Sequence, residues 1–217
     1  MTQTLFISGT GTGIGKTFVT AALARHLRQE GVAVRALKPI ETGCDPDPED
    51  ALLLGRAAGD PSFAHHRDFY RERPALGPLA ATLSGQPPFP FERVLEATRT
   101  AFAEEGWTLV EGAGGLLVPL TEEHTVADFV AALGAPLLLV APDILGAQSH
   151  VLTALESAHR RSLSVQAIIL NQLPKPETPD SHNAAVLRRL TAYPVLETED
   201  PSWPDELVAL IRTPTAP

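Results

Sequence analysis

The sequence predicts an α/β protein: a three-layer, doubly wound arrangement with a mostly parallel sheet and helices on both faces. Three observations carry this expectation. Apolar runs of strand length alternate with segments of helical periodicity along most of the chain. Residues suited to chemistry, in Gly9–Thr17 and at Lys38, Glu111 and Asn171, fall at or just after the ends of those runs. In a parallel sheet such ends share one edge. The chain has 217 residues, 44% of them hydrophobic, which suits one domain over residues 1–217 with a substantial core.

The first strand is Thr4–Ser8, followed by a glycine-rich stretch and a helix in which Phe18, Val19, Leu23 and Leu27 recur at helical spacing to about Glu30. Val32–Leu37 reads as a second strand, ending at Lys38-Pro39. Pro48-Glu49-Asp50 opens a short helix over Ala51–Ala58, with acidic residues in its first turn. Residues 60–90 read as irregular, broken by Pro74, Pro78 and Pro87-Pro88. A helix is expected over Phe91–Glu105 and a buried strand over Trp107–Val110, ending in Glu111 and glycines. Further helices are expected over Val126–Leu133, Ala147–Arg160, Ala184–Leu190 and Asp205–Ile211. Strands are expected over Pro136–Val140, Val165–Leu170 and Pro194–Leu196.

Composition narrows the function. A formal net charge of −9 speaks against nucleic-acid binding, which needs a basic face. A single cysteine, Cys44, excludes an intrachain disulfide and fits a reducing compartment. The N-terminus enters a strand without a basic, then apolar leader, and no apolar run reaches membrane-spanning length. The expectation is a cytoplasmic protein with no membrane partner. The 20 prolines concentrate in 74–90 and 174–204, which read as surface loops.

Residues 9–17, Gly-Thr-Gly-Thr-Gly-Ile-Gly-Lys-Thr, lie between a strand and a helix, the context of a phosphate-cradling P-loop. Glycines let backbone N–H groups wrap an anion, and the helix adds the positive end of its dipole. Lys16 would reach the β- and γ-phosphates, and the Thr17 hydroxyl would sit on Mg²⁺. The loop is one residue longer than the common motif, with Thr10 where a glycine is usual and Gly9 before it. Nucleoside triphosphate binding on a P-loop NTPase-like fold follows.

Other candidates have two readings each. Glu111 could hold Mg²⁺ directly or through water, or merely end a strand. Asp50, with Glu49 beside it, could give the cation a second carboxylate or serve only the helix dipole. Lys38 could steady a transferring phosphoryl group or be an exposed strand-end lysine. The Asn171 amide could match the edge of adenine or occupy a turn. The seven histidines form no ligand set, and Cys44 has no sequence-adjacent base.

Together, the long phosphate loop, Lys38-Pro39-Ile40-Glu41-Thr42-Gly43, Asp50 in a short helix, Val110-Glu111-Gly112-Ala113-Gly114-Gly115, and Leu145-Gly146 before a helix resemble dethiobiotin synthetase. The resemblance runs in order from residue 4 to about 172. It implies ATP-dependent ring closure of 7,8-diaminononanoate with CO₂ through a phosphorylated carbamate, a late step of biotin synthesis, with Mg²⁺ as cofactor. It makes Lys16 and Lys38 catalytic and assigns Thr17, Asp50 and Glu111 to Mg²⁺. ATP would contact Gly13, Ile14, Gly15, Lys16, Thr17, Phe18, Asp50, Glu111, Gly112, Ala113, Gly114, Asn171 and Gln172, with Pro201, Ser202 and Trp203 near the base and ribose. Thr12, Thr42, Gly114, Gly146 and Ser149 would bind substrate, the last two across a homodimer interface that holds the substrate carboxylate. Two other readings share the fold: an ATPase switch, which usually carries an early loop lysine that positions 9–14 lack, and a non-catalytic nucleotide-binding regulator, against which the intact Lys16, Thr17, Lys38 and Glu111 stand.

Overall fold

The computed structural model describes residues 2–172 and 182–212. The first half of the chain forms β1 (Gln3–Gly9), α1 (Lys16–Gln29), β2 (Val34–Leu37), β3 (Ile40–Thr42), α2 (Glu49–Ala58), β4 (Tyr70–Glu72), α3 (Pro78–Leu83) and α4 (Phe91–Thr100). The second half forms β5 (Trp107–Gly115), α5 (Val126–Leu133), β6 (Leu137–Pro142), α6 (Ala147–Arg160), β7 (Val165–Asn171), α7 (Asn183–Leu190), β8 (Val195–Glu197) and α8 (Trp203–Arg212).

Six strands make one sheet in the order β2-β5-β1-β6-β7-β8, and every pairing in it is parallel. Strands covered on both faces read as continuous apolar runs, and Leu137–Ala141 in β6 is fully buried. One face packs Leu5, Ile7, Leu109, Leu138 and Ile169 under α1, α2 and α8. The other packs Phe6, Val110, Leu139 and Leu170 under α4, α5, α6 and α7. This is the expected three-layer, doubly wound fold. From β1 the chain winds to one side, then through β6, β7 and β8 to the other. The change of direction opens a crevice at the carboxyl ends of the central strands, where ligands bind in such sheets.

The structure departs from expectation in the short elements. Within the stretch read as irregular lie a 3-10 turn at Pro61–His65, β4 and α3. Strand β4 pairs in parallel with β3 as a separate two-stranded sheet, Glu41 opposite Arg71. Three-residue strands are too short to show a period of two. Helix α4 stops at Thr100, five residues early: the Arg35 guanidinium takes the carbonyls of Ala101 and Phe102 at 2.8 and 3.1 Å, satisfying the orphan acceptors of the helix end. Strand β5 continues through the glycines to Gly115, which pairs with Gly9. Glu111 therefore sits inside the strand, opposite Ile7, and not at its end. Part of the proline-rich 174–204 stretch, residues 174–181, lies outside the described residues.

Candidate active site

Between β1 and α1 the loop turns tightly over the sheet edge. At Gly15 the backbone is left-handed (φ 91°), and a Cβ there would lie 2.0 Å from the Asn171 amide nitrogen, so only glycine fits. That amide donates to the Ile14 carbonyl at 2.9 Å, while its oxygen accepts from the Thr198 hydroxyl at 3.1 Å. Asn171, buried at the end of β7, thus ties the loop to the strand and to the segment after β8. Lys16, the first residue of α1, folds back so that Nζ donates to the Gly11 carbonyl at 2.7 Å.

Behind the loop lies a cluster of opposite charges. Lys38 Nζ donates to Asp50 Oδ2 at 3.0 Å and to Glu111 Oε1, and Thr17 Oγ1 donates to the same Glu111 oxygen at 2.8 Å. Glu111 is 0% exposed. A buried carboxylate is tolerated only with close partners, and here a lysine and a threonine share one of its oxygens. Its other oxygen, Oε2, has no hydrogen-bond partner among the described residues. Burial would strip the Lys38 proton, but Glu111 and Asp50 outweigh it and hold the ammonium up to about 12. For Lys16 the balance is reversed: burial, reinforced by the nearby Lys38 charge, outweighs the pull of Glu111 and Asp50 and lowers it to about 8.

The donor set suits Mg²⁺ that arrives with a nucleotide. Among the described residues no group of three His, Cys, Asp or Glu side chains is arranged to hold a metal ion by itself. Two carboxylates, one with an orphaned oxygen, plus a hydroxyl match an ion that keeps waters and takes its remaining ligands from phosphates.

These groups face one cleft of about 580 Å³, lined by Thr12, Gly13, Gly15, Lys16, Thr17, Lys38, Thr42, Asp50, Glu111, Ala113 and Gly114 together with Glu41 and residues 75–78. A larger groove of about 740 Å³ between α3 and α4 is mostly apolar and does not include the lysine–carboxylate cluster; convergent charge singles out the smaller cleft.

A family model described as "AAA domain" matches residues 3–198. The "ATP-dependent dethiobiotin synthetase BioD" of Caulobacter sp. (strain K31) is 43% identical over 77% of this chain and 75% of its own length. The protein of the same name from Acidiphilium cryptum (strain JF-5) is 37% identical over 91% of this chain and 94% of its own. The chain belongs to the dethiobiotin synthetase family. Among solved structures, chloroplast FtsY from Physcomitrella patens superposes with a TM-score of 0.56 at 20% identity. That match covers 90% of this chain and 57% of FtsY; at this identity it speaks to the fold alone.

Not every position that the dethiobiotin synthetase resemblance singled out meets in the cleft. Ile14 is packed into the core beneath the loop, whereas Phe18 is largely exposed on α1. Gly112 lies on β5, where a Cβ would press against the Phe6 ring at 2.8 Å. Trp203 is buried among the residues of α8 that cover the sheet. Pro201 is exposed, and Ser202 is held by Asp200 and Glu206. Gln172 donates through its side chain to Glu199 at 3.0 Å. Gly146 and Ser149 sit at the start of α6, outside the cleft. His150 of the same turn lines a neighbouring groove of about 430 Å³ that also touches Gly9–Thr12.

Sequence reasoning missed the cleft wall at Ala75–Pro78 and Val118 and gave no role to Glu41. The wall carries no chemistry to single it out. Glu41 had a signal: α2 begins after Pro48, whose side chain cannot cap a helix, so its first amides needed an acceptor from elsewhere.

A pH effect follows from Lys16. With its pKa near 8, a growing fraction is neutral as pH rises past that value. A bound triphosphate favours the ammonium and raises the pKa. ATP binding at about pH 8.5 is therefore expected to take up protons, seen calorimetrically as a binding enthalpy that changes with the buffer's ionisation enthalpy. That proton uptake should shrink as the pH is lowered from about 8.5 toward about 7, where the ammonium is already nearly complete.

Proposed function

We propose that residues 1–217 act as one catalytic domain that makes dethiobiotin from 7,8-diaminononanoate, CO₂ and ATP. One substrate amine adds to CO₂, losing a proton, to give a carbamate. A carbamate oxygen takes the γ-phosphoryl group and ADP leaves. The second amine then attacks the carbamate carbon, and phosphate departs with the oxygen it had gained as the ureido ring closes.

In this sequence phosphoryl transfer joins two anions, so cations are needed on both. Lys16 serves the β- and γ-phosphates from the loop, and Lys38 serves the carbamate from across the cleft. Thr17, Asp50 and Glu111 would hold Mg²⁺, which neutralises phosphate charge when bound. Thr12, Thr42 and Gly114 line the cleft where the diamine would lie. The loop residues Gly13, Ile14 and Gly15, with Phe18 in the first turn of α1 and Gly112 and Ala113 on β5, would frame the triphosphate. Asn171 and Gln172, with Pro201, Ser202 and Trp203, are assigned to the edge nearest the base.

A homodimer completes the reading. The substrate carboxylate is assigned to the start of α6, at Gly146 and Ser149, in a second copy. Leu145 is 81% exposed just before that helix, and helix N-termini suit carboxylates. The cytoplasm is the proposed compartment; among the described residues no helix is long and apolar enough to cross a membrane.

The observation that carries the reading is the placement of Lys38 between Glu111 and Asp50, facing Lys16 and Thr17 across one cleft. ADP release is expected only when ATP, bicarbonate and the diamine are all present, with dethiobiotin forming in equal amount. ADP release unaffected by omitting the diamine would overturn the assignment.

A further inference from the structure

Helix α2 supplies Asp50, yet its start has no cap of its own. Pro48 stands at the N-cap position without a side-chain hydrogen bond. The amides of the first turn point at a carboxylate 9 and 10 residues earlier in the chain. Asp50 N donates to Glu41 Oε1 at 2.9 Å, and Ala51 N donates to Glu41 Oε2 at 3.0 Å. Both oxygens of Glu41 are thus engaged by α2, and the side chain is 7% exposed.

Glu41 is itself fixed from behind. It lies in the middle of β3, whose pairing with β4 places it opposite Arg71. Arg71 is held to the Ala64 carbonyl by two nitrogens at 3.2 and 3.0 Å. The small two-stranded sheet therefore presents a fixed carboxylate to the helix end. The carboxylate in turn fixes the backbone of the residue whose Oδ2 meets Lys38 at 3.0 Å. Asp50 is 44% exposed, so side-chain packing alone does not hold it. Its aim depends on where the first turn of α2 is pinned.

We propose that Glu41 is a positioning residue for the reaction: by capping α2 from β3 it sets Asp50 at the distance needed to share a divalent cation with Glu111 and to engage Lys38. The idea rests on the metal role proposed for Asp50. Glutamine at position 41 would keep the size of the side chain but retain one acceptor oxygen for two amides. Alanine would leave both without an acceptor.

The test is a double-mutant cycle read by binding. Mn²⁺ affinity in the presence of ADP would be measured by electron paramagnetic resonance for the full chain and for Glu41→Gln, Asp50→Asn and the two combined, with melting temperatures as a folding control. Outer partners of metal ligands commonly change affinity by about 10-fold or more, and Glu41→Gln is expected to weaken Mn²⁺ by roughly that factor. In the Asp50→Asn background the same change should have almost no further effect, and Glu41→Asp should recover less than full affinity. Independent, multiplying effects of the two changes would overturn the proposal, as would an unchanged affinity in a folded Glu41→Gln protein. If Asp50→Asn alone leaves Mn²⁺ binding untouched, the metal role of Asp50 fails and the proposal goes with it. A weakened Asp50→Asn beside an unaffected Glu41→Gln would sink the positioning role alone.

Discussion

Replacing Lys38 with methionine is expected to lower dethiobiotin formation by about 10²–10³-fold, the usual cost of removing one group that stabilises developing charge. The second expected effect is less obvious. In the structure the Lys38 ammonium lies against both carboxylates that would receive the metal. Without it, Glu111 is a fully buried carboxylate whose remaining hydrogen bond among the described residues is from the Thr17 hydroxyl. Leaving a buried charge unpaired costs about 3–5 kcal/mol, so the variant should melt well below the parent protein. A divalent cation can replace the lost charge, and anything that binds the folded state alone stabilises it. In the absence of nucleotide, millimolar Mg²⁺ should therefore raise the melting temperature of Lys38→Met much more than that of the parent. Equal responses would mean that the ammonium does not occupy the position a metal would take.

Glu111→Gln is expected to produce the other large loss. The amide oxygen can still accept from Thr17 and Lys38, but the Lys38 ammonium would keep only Asp50 of its two counter-charges, and Asp50 is partly open to solvent. Breaking one side of a buried pair costs about 3 kcal/mol or more. Denaturant unfolding should register that loss, and the Mg²⁺ concentration for half-maximal turnover should rise. An unchanged Mg²⁺ titration in the folded variant would remove Glu111 from the metal shell. Little change in stability would contradict the pairing with Lys38.

Much of this arrangement was legible in the chain. The long strands and helices announced themselves because their apolar residues keep one period over enough turns or pleats to be counted. Lys38, Glu111 and Asn171 stood out because each follows or lies within a buried strand on the loop side. What could not be read was contact between distant short elements. Nothing in Tyr70-Arg71-Glu72 says that it pairs with Ile40-Glu41-Thr42, and although the uncapped start of α2 calls for an acceptor, no local pattern names Glu41 as that acceptor. Asn171 offers an amide at a strand end, which the sequence shows. Its engagement with Ile14 and Thr198 depends on three segments meeting, which no local pattern encodes. The extension of β5 beyond Glu111 was hidden for a related reason: glycines weaken a strand signal, and here they continue the strand because β1 lies alongside.

The central claim is that the two lysines steer a γ-phosphoryl group onto a carbamate oxygen. Isotope transfer tests it most directly. With CO₂ labelled with ¹⁸O and turnover followed before exchange with water, the released phosphate should carry one labelled oxygen for each dethiobiotin formed, the other remaining in the ureido carbonyl. Unlabelled phosphate alongside labelled dethiobiotin would show that ATP is cleaved without touching the carbamate, and would contradict the account.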